Sequence, residues 1–228
     1  MLQLFVVANH TDIIAFVREA EGGLTGNPAD SASANPSPCG MDPKYGAPIH
    51  TNKGITWATY QGYRGAGSAN CNEFLQMPDG LWASIWKDRY WDAVGGDQIE
   101  NQAIANVYAT WAWGSGVGGA NNLMRKALKE RYGYGEYDVN TLQKRIAILN
   151  QESKQDLNQL FTILCDEREK FFRSLSSFPV FGNGWLRRLE KFKTHNKRHL
   201  GQADDNTLIY LLVGFAVLLI GTYLIFLR

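Results

Sequence analysis

Glu21 ends the segment Phe16-Val-Arg-Glu-Ala-Glu21 and stands directly before Gly22-Gly23. Thr11 or Asp12 can cap a helix that runs through Ile13, Ile14, Phe16 and Val17 to Ala20, and the two glycines stop it. A carboxyl at the C-terminal end of a helix meets the negative pole of the macrodipole, which disfavours its ionised form. Partial burial pushes the same way. A carboxylic acid that keeps its proton near neutral pH is what a glycosidic oxygen needs in order to leave. Taken alone, a Glu before Gly-Gly is usually just a helix end. Glu19, two residues earlier, points elsewhere on the helix and reads as a solvated side chain.

The neighbouring blocks give Glu21 its weight. Glu21-Gly22-Gly23-Leu24 is followed by Asn27-Pro28-Ala29-Asp30 and then by Thr51-Asn52-Lys53-Gly54-Ile55-Thr56. In this order the blocks resemble the signature of glycoside hydrolase family 108, the lysozyme-like N-acetylmuramidases of phages and bacteria. Tyr60, Tyr63-Arg64-Gly65 and Tyr90-Trp91-Asp92 resemble further positions of that family. Ser115-Gly116, the stretch Ala120 to Leu128, Asp138 with Thr141-Leu142, and Phe181-Gly-Asn-Gly-Trp-Leu-Arg187 are similar to the peptidoglycan-binding region that accompanies the catalytic part. The resemblance spans residues 10 to 190 or so.

The resemblance implies hydrolysis of the β-1,4 bond between N-acetylmuramic acid and N-acetylglucosamine, in an enzyme of the phage or prophage endolysin type. Glu21 falls on the family's catalytic glutamate and would protonate the leaving oxygen. Thr51 falls on the family threonine and would hold the attacking water or a sugar hydroxyl, although a turn residue is the plain alternative. Asp30 is the second carboxylate by order along the chain, with Asp42 as its rival. Gly54 would allow close backbone approach. Tyr60, Trp57 and Trp91 are candidates for binding sugar rings, with core packing as the competing role for each aromatic. Neither a metal nor an organic cofactor is implied. Three departures stand out: Leu24 replaces an aromatic, Gly26 stands where an Asp-like residue is expected, and Ser31 to His50 is a long insertion.

These residues need a scaffold, and its signals are mostly helical. Asp79 starts a helix with Leu81, Trp82, Ile85 and Trp86 inward, Gln98 to Trp113 forms another, and Asn140 or Thr141 caps a long one from Leu142 to Leu175. Strand signals are weak. Asn27 to Pro48, rich in Pro, Ser, Ala and Gly, reads as a long loop over a cleft. The expected architecture is all-α (mainly α): a lysozyme-like catalytic domain over residues 1–102, a helical peptidoglycan-binding region over 103–190, a basic linker over 191–206 and a transmembrane helix over 207–227.

That last element rests on composition. Thr207 to Leu227 carries no charge and is rich in Leu, Ile, Val and Phe. At about 1.5 Å per residue it spans a hydrocarbon core of roughly 30 Å. Arg187, Arg188, Lys191, Lys193, Lys197 and Arg198 precede it, a pattern that suits anionic headgroups and the cytoplasmic side. The expected location is therefore the membrane, by a single C-terminal anchor, while the substrate lies outside.

A net charge of +1 offers nothing to draw nucleic acid. Cys39, Cys71 and Cys165 include no C-x-x-C pair; export would allow a Cys39–Cys71 bridge, but a reduced chain is the default expectation. His195 and His199 are spaced as in zinc helices but lack the companion Glu and third ligand. The expected partners are thus peptidoglycan glycan strands and a membrane. The competing function is a non-catalytic wall-binding or structural module of a membrane-bound secretion or phage assembly.

Overall fold

The computed structural model of the protein describes residues 7–65 and 67–201. The chain divides into two compact units, Met1–Gln151 and Glu152–Arg228. Among the described residues no helix is long and apolar enough to cross a membrane. Residues 207–227, the expected span, and the hinge expected at 202–206 lie outside the described residues.

The first unit is mainly helical. Helix α1 (Thr11–Glu19) buries Ile13 and Val17. The Asn9 side chain, rather than Thr11 or Asp12, receives a free N–H at its start, that of Thr11. Asp12 instead accepts from Asn106. Then follow α2 (Trp57–Arg64), α3 (Cys71–Gln76) and α4 (Asp79–Trp86). Helix α5 (Gln102–Tyr132) is the axis of the unit. Every residue from Ala103 to Ala109 is buried, which is how a helix surrounded by other elements reads. The helix starts at Gln102, capped by Asn101, and runs well past Trp113. It bends at Gly116, where φ is +71°, a conformation glycine adopts without penalty. Around it Trp82, Trp86 and Trp91 are almost wholly buried. Truncating one of them would cost roughly 3–5 kcal/mol.

Short strands cover the segment that follows α1. β1 (Leu24–Thr25), β4 (Thr51–Asn52) and β5 (Ile55–Thr56) form an antiparallel sheet in the order β1-β4-β5. Between them lie a 3-10 turn (Ser31–Ala34) and the hairpin of β2 (Met41–Asp42) with β3 (Ala47–Pro48). Each strand is two residues long, too short for an alternating pattern to appear in the sequence. The expected bare loop over 27–48 is therefore a folded insertion. It is also stapled: Cys39 and Cys71 form a disulfide that ties it to α3, correcting the expectation of a reduced chain.

Helix α6 (Glu136–Val139) completes the first unit, and α7 (Leu142–Ser174) begins there, with a break in helical geometry at Asp156. The second unit holds the rest of α7 and α8 (Phe178–Asn196). Within it Phe161 stacks with Phe192 at 6.1 Å, and Phe172 lies 5.5 Å from Trp185 between ring centres. The basic segment expected as a linker is helical as far as residue 196 and continues in a 3-10 turn, Lys197–Leu200. Cys165 is buried there, and burial pushes its thiol up to about 12.

Candidate active site

Helix α1 ends on i→i−3 bonds, the last of them from the Glu21 N–H to the Arg18 carbonyl at 3.2 Å. Glu21 thus sits two residues past the last helical residue, and it is half-buried. Gly22 and Gly23 lead into β1, whose residues Leu24 and Thr25 pair with Asn52 and Thr51. This pairing brings the end of α1 against the β4–β5 hairpin.

The hairpin turn is the two-residue step Lys53-Gly54, since Asn52 pairs with Ile55. A two-residue turn of type I′ between twisted strands needs positive φ at both central positions. Gly54 supplies it at +79° and Lys53 adopts +49°. A non-glycine residue in that region costs roughly 1–2 kcal/mol. Three contacts offset this: Lys53 Nζ reaches Asp79 at 2.7 Å and the Met77 carbonyl at 2.8 Å, and the Lys53 carbonyl accepts from Trp82 Nε1 at 2.8 Å. Asp79 also meets Arg18 at 3.4 Å. The Lys53 hydrogen bond, helped by Arg18, holds the Asp79 carboxyl below the usual carboxylate range.

Gly54 is where the turn meets the acid. A Cβ placed on it would lie 2.4 Å from Glu21 Oε2 and 2.5 Å from the Trp113 ring. A side chain here would force the Glu21 carboxyl or the Trp113 ring to move. From the other direction Trp113 Nε1 donates to Glu21 Oε1 at 2.9 Å. Trp113 is held edge-on by Tyr90, with ring centres 4.9 Å apart, and by Trp82 at 5.9 Å. Burial, with the nearby Glu21 charge, keeps the Tyr90 phenol above its ordinary value despite an opposing bond from Thr59. An indole N–H can only donate. Oε1 therefore accepts in either ionisation state, and a proton carried by Glu21 belongs on Oε2, the oxygen lying against Gly54.

The other sequence candidates fall into distinct places. Thr51 lies in β4, buried, with its Oγ1 2.8 Å from His50 Nδ1. Asp30 is exposed, caps the 3-10 turn and accepts from the Ala32 N–H at 3.0 Å. Its rival Asp42 is buried and accepts the Gly26 N–H at 2.7 Å and the Lys44 N–H at 2.8 Å. The Gly26 bond above all holds its carboxyl below the usual range. Gly26 has no room for an Asp-like side chain, because a Cβ there would meet the Ala47 and Pro48 carbonyls at 2.7 Å.

The aromatic candidates are core residues. Trp57 and Tyr60 pack with Phe74 in one cluster, and the Tyr60 hydroxyl donates to Glu73 at 2.6 Å. Trp91 is fully buried, and its indole N–H donates to Asp97 at 2.6 Å. The aromatic that does touch the acid is Trp113, half-exposed and on the expected helix, but with nothing in the local sequence to single it out. His50 was missed as well.

A helical unit that seats one carboxyl against a glycine turn, beneath an indole donor, defines a candidate acid site of the glycosidase kind. Residues 14–116 match the family model for Glycosyl hydrolase 108. Among solved structures the chain is similar to SagA of Brucella abortus, with a TM-score of 0.54 and 22% identity. That likeness covers 86% of this chain and 97% of that one, and it is a likeness of fold. No curated protein matches the chain.

Proposed function

We propose that the protein is a peptidoglycan hydrolase of the lysozyme type. It cleaves the β-1,4 bond between N-acetylmuramic acid and N-acetylglucosamine, with Glu21 as general acid. The observation that carries this is the seating of Glu21: Trp113 donates to Oε1, and Oε2 lies against Gly54 of the hairpin turn. The match of residues 14–116 to a glycoside hydrolase family model supports a glycosidic substrate. Protonation of the leaving oxygen by Oε2 relieves the alkoxide charge that otherwise develops there.

Asp30 is the better second carboxylate. Asp42 is occupied by two backbone N–H groups and buried, whereas Asp30 is exposed and can meet a substrate or a water. Thr51 holds the attacking water. Residues 103–190 bind the glycan strand, and residues 207–227 anchor the protein in a membrane, in the manner of a phage or prophage endolysin. The uncharged composition of the tail and the basic run before it support the anchor.

The test is Glu21→Gln, assayed by turbidity of purified peptidoglycan, with circular dichroism confirming the fold. Loss of a general acid predicts a fall of about 10³-fold. Equal clearing by both proteins would remove Glu21 from the reaction. Muropeptide analysis of the wild-type digest should give reducing-end muramic acid, and reducing-end glucosamine or anhydro products would refute the bond assignment.

A further inference from the structure

His50 has no part in the reaction just proposed, yet it is completely buried and both of its ring nitrogens are engaged. Nε2 lies 3.1 Å from the Asn27 carbonyl oxygen, and Nδ1 lies 2.8 Å from Thr51 Oγ1. Its backbone is fixed too. The His50 N–H donates to the Thr25 carbonyl at 3.0 Å, and its own carbonyl accepts from Trp57 at 2.7 Å.

These partners settle the tautomer. A backbone carbonyl can only accept, so the ring hydrogen sits on Nε2. In the neutral imidazole Nδ1 is then a bare lone pair, and the Thr51 hydroxyl must donate to it. A threonine hydroxyl has one hydrogen and two lone pairs. With its hydrogen committed to His50, Thr51 has only lone pairs left for any other partner.

We propose that His50 is a positioning residue that fixes the Thr51 hydroxyl as a hydrogen-bond acceptor in the site. This rests on the lytic reading above, in which Thr51 holds the attacking water. An acceptor takes one O–H of that water and leaves the water's own lone pairs unoccupied, one of them to face the anomeric carbon. A freely rotating hydroxyl would donate to the water as readily, and so engage a lone pair the reaction needs. Thr51 lies three residues before Gly54, in the hairpin that seats Glu21, so the hydroxyl and the acid share one rigid support.

The test compares His50→Leu with His50→Asn on soluble glycan chains, with nitrogen-15 NMR of the wild-type imidazole as a measurement that needs no variant. Leu removes both ring nitrogens, while the Asn Oδ1 stands close to the place of Nδ1 and can accept from Thr51. In Leu, kcat should fall about tenfold, the worth of one positioned hydrogen bond, with KM unchanged. Asn should recover most of that loss although both variants melt earlier. The wild-type spectrum should place the ring hydrogen on Nε2. A hydrogen on Nδ1, wild-type kcat in the Leu variant, or equal losses in Leu and Asn would each overturn the positioning role. If Glu21→Gln leaves kcat untouched, the lytic reading fails instead, and the NMR result still decides the tautomer.

Discussion

The carboxyls of Glu21 and Asp30 lie nine residues apart in the chain and are held in opposite ways. Glu21 takes its place from afar: Trp113 comes from α5, 92 residues away, and Gly54 from the β4–β5 turn. Asp30 is held by its own loop, accepting from Ala32 and donating its backbone N–H to the Asn27 carbonyl. The insertion that follows Asp30 is closed by its own hairpin and by the Cys39–Cys71 bridge. One carboxyl is thus a product of the tertiary fold, while the other belongs to a locally organised flap. Perturbing the flap should leave the Glu21 seat intact, and perturbing the seat should leave the flap intact.

The largest expected effect comes from removing the staple. Replacing Cys39 and Cys71 together by Ser opens a loop of 32 residues. The loss of stability should be about 3–4 kcal/mol in a urea titration. Hydrogen exchange should then speed up over the insertion while the Lys53-Gly54 hairpin stays protected, and a hairpin that opens with the insertion would break the distinction. Next comes Gly54→Ala, which forces the Glu21 carboxyl or the Trp113 ring to move. Wall clearing should drop about 100-fold, as for an acid displaced by an ångström or so, with exchange over the insertion unchanged. Wild-type clearing in this variant would show that Glu21 needs no such seat. The smallest effect belongs to Asp30→Asn. It should lower kcat about tenfold, one charge-assisted hydrogen bond, and barely move the melting temperature. A collapse of folding there would mean that Asp30 supports more than its own turn.

The same contrast marks what could be read from the sequence. Helices α4 and α7 declare themselves through apolar spacing, and α7 also through its Thr141 cap, because those signals are local. Glu21 and Gly54 are legible as members of ordered blocks, and Gly54 is explained by a turn that requires positive φ and by the acid beside it. Trp113 is not legible, since an indole on a helix looks the same whether it faces the core or a carboxyl. For the same reason Trp57, Tyr60 and Trp91 resemble sugar-stacking residues in the sequence but are packed inside. The Cys39–Cys71 bridge depends on Cα atoms meeting at 5.1 Å, a closeness that no spacing along the chain encodes. His50 carries no motif, and its role emerges only when its two ring nitrogens are matched to partners.

The bond from Trp113 to Glu21 also gives the site an optical reporter. Indole emission is quenched by a neighbouring protonated carboxyl far more than by an ionised one. Subtracting the spectrum of Trp113→Phe from that of the wild type isolates this fluorophore from the other six tryptophans of the chain. A pH series of that difference then follows the ionisation of one side chain directly, in the resting protein and without any sugar bound.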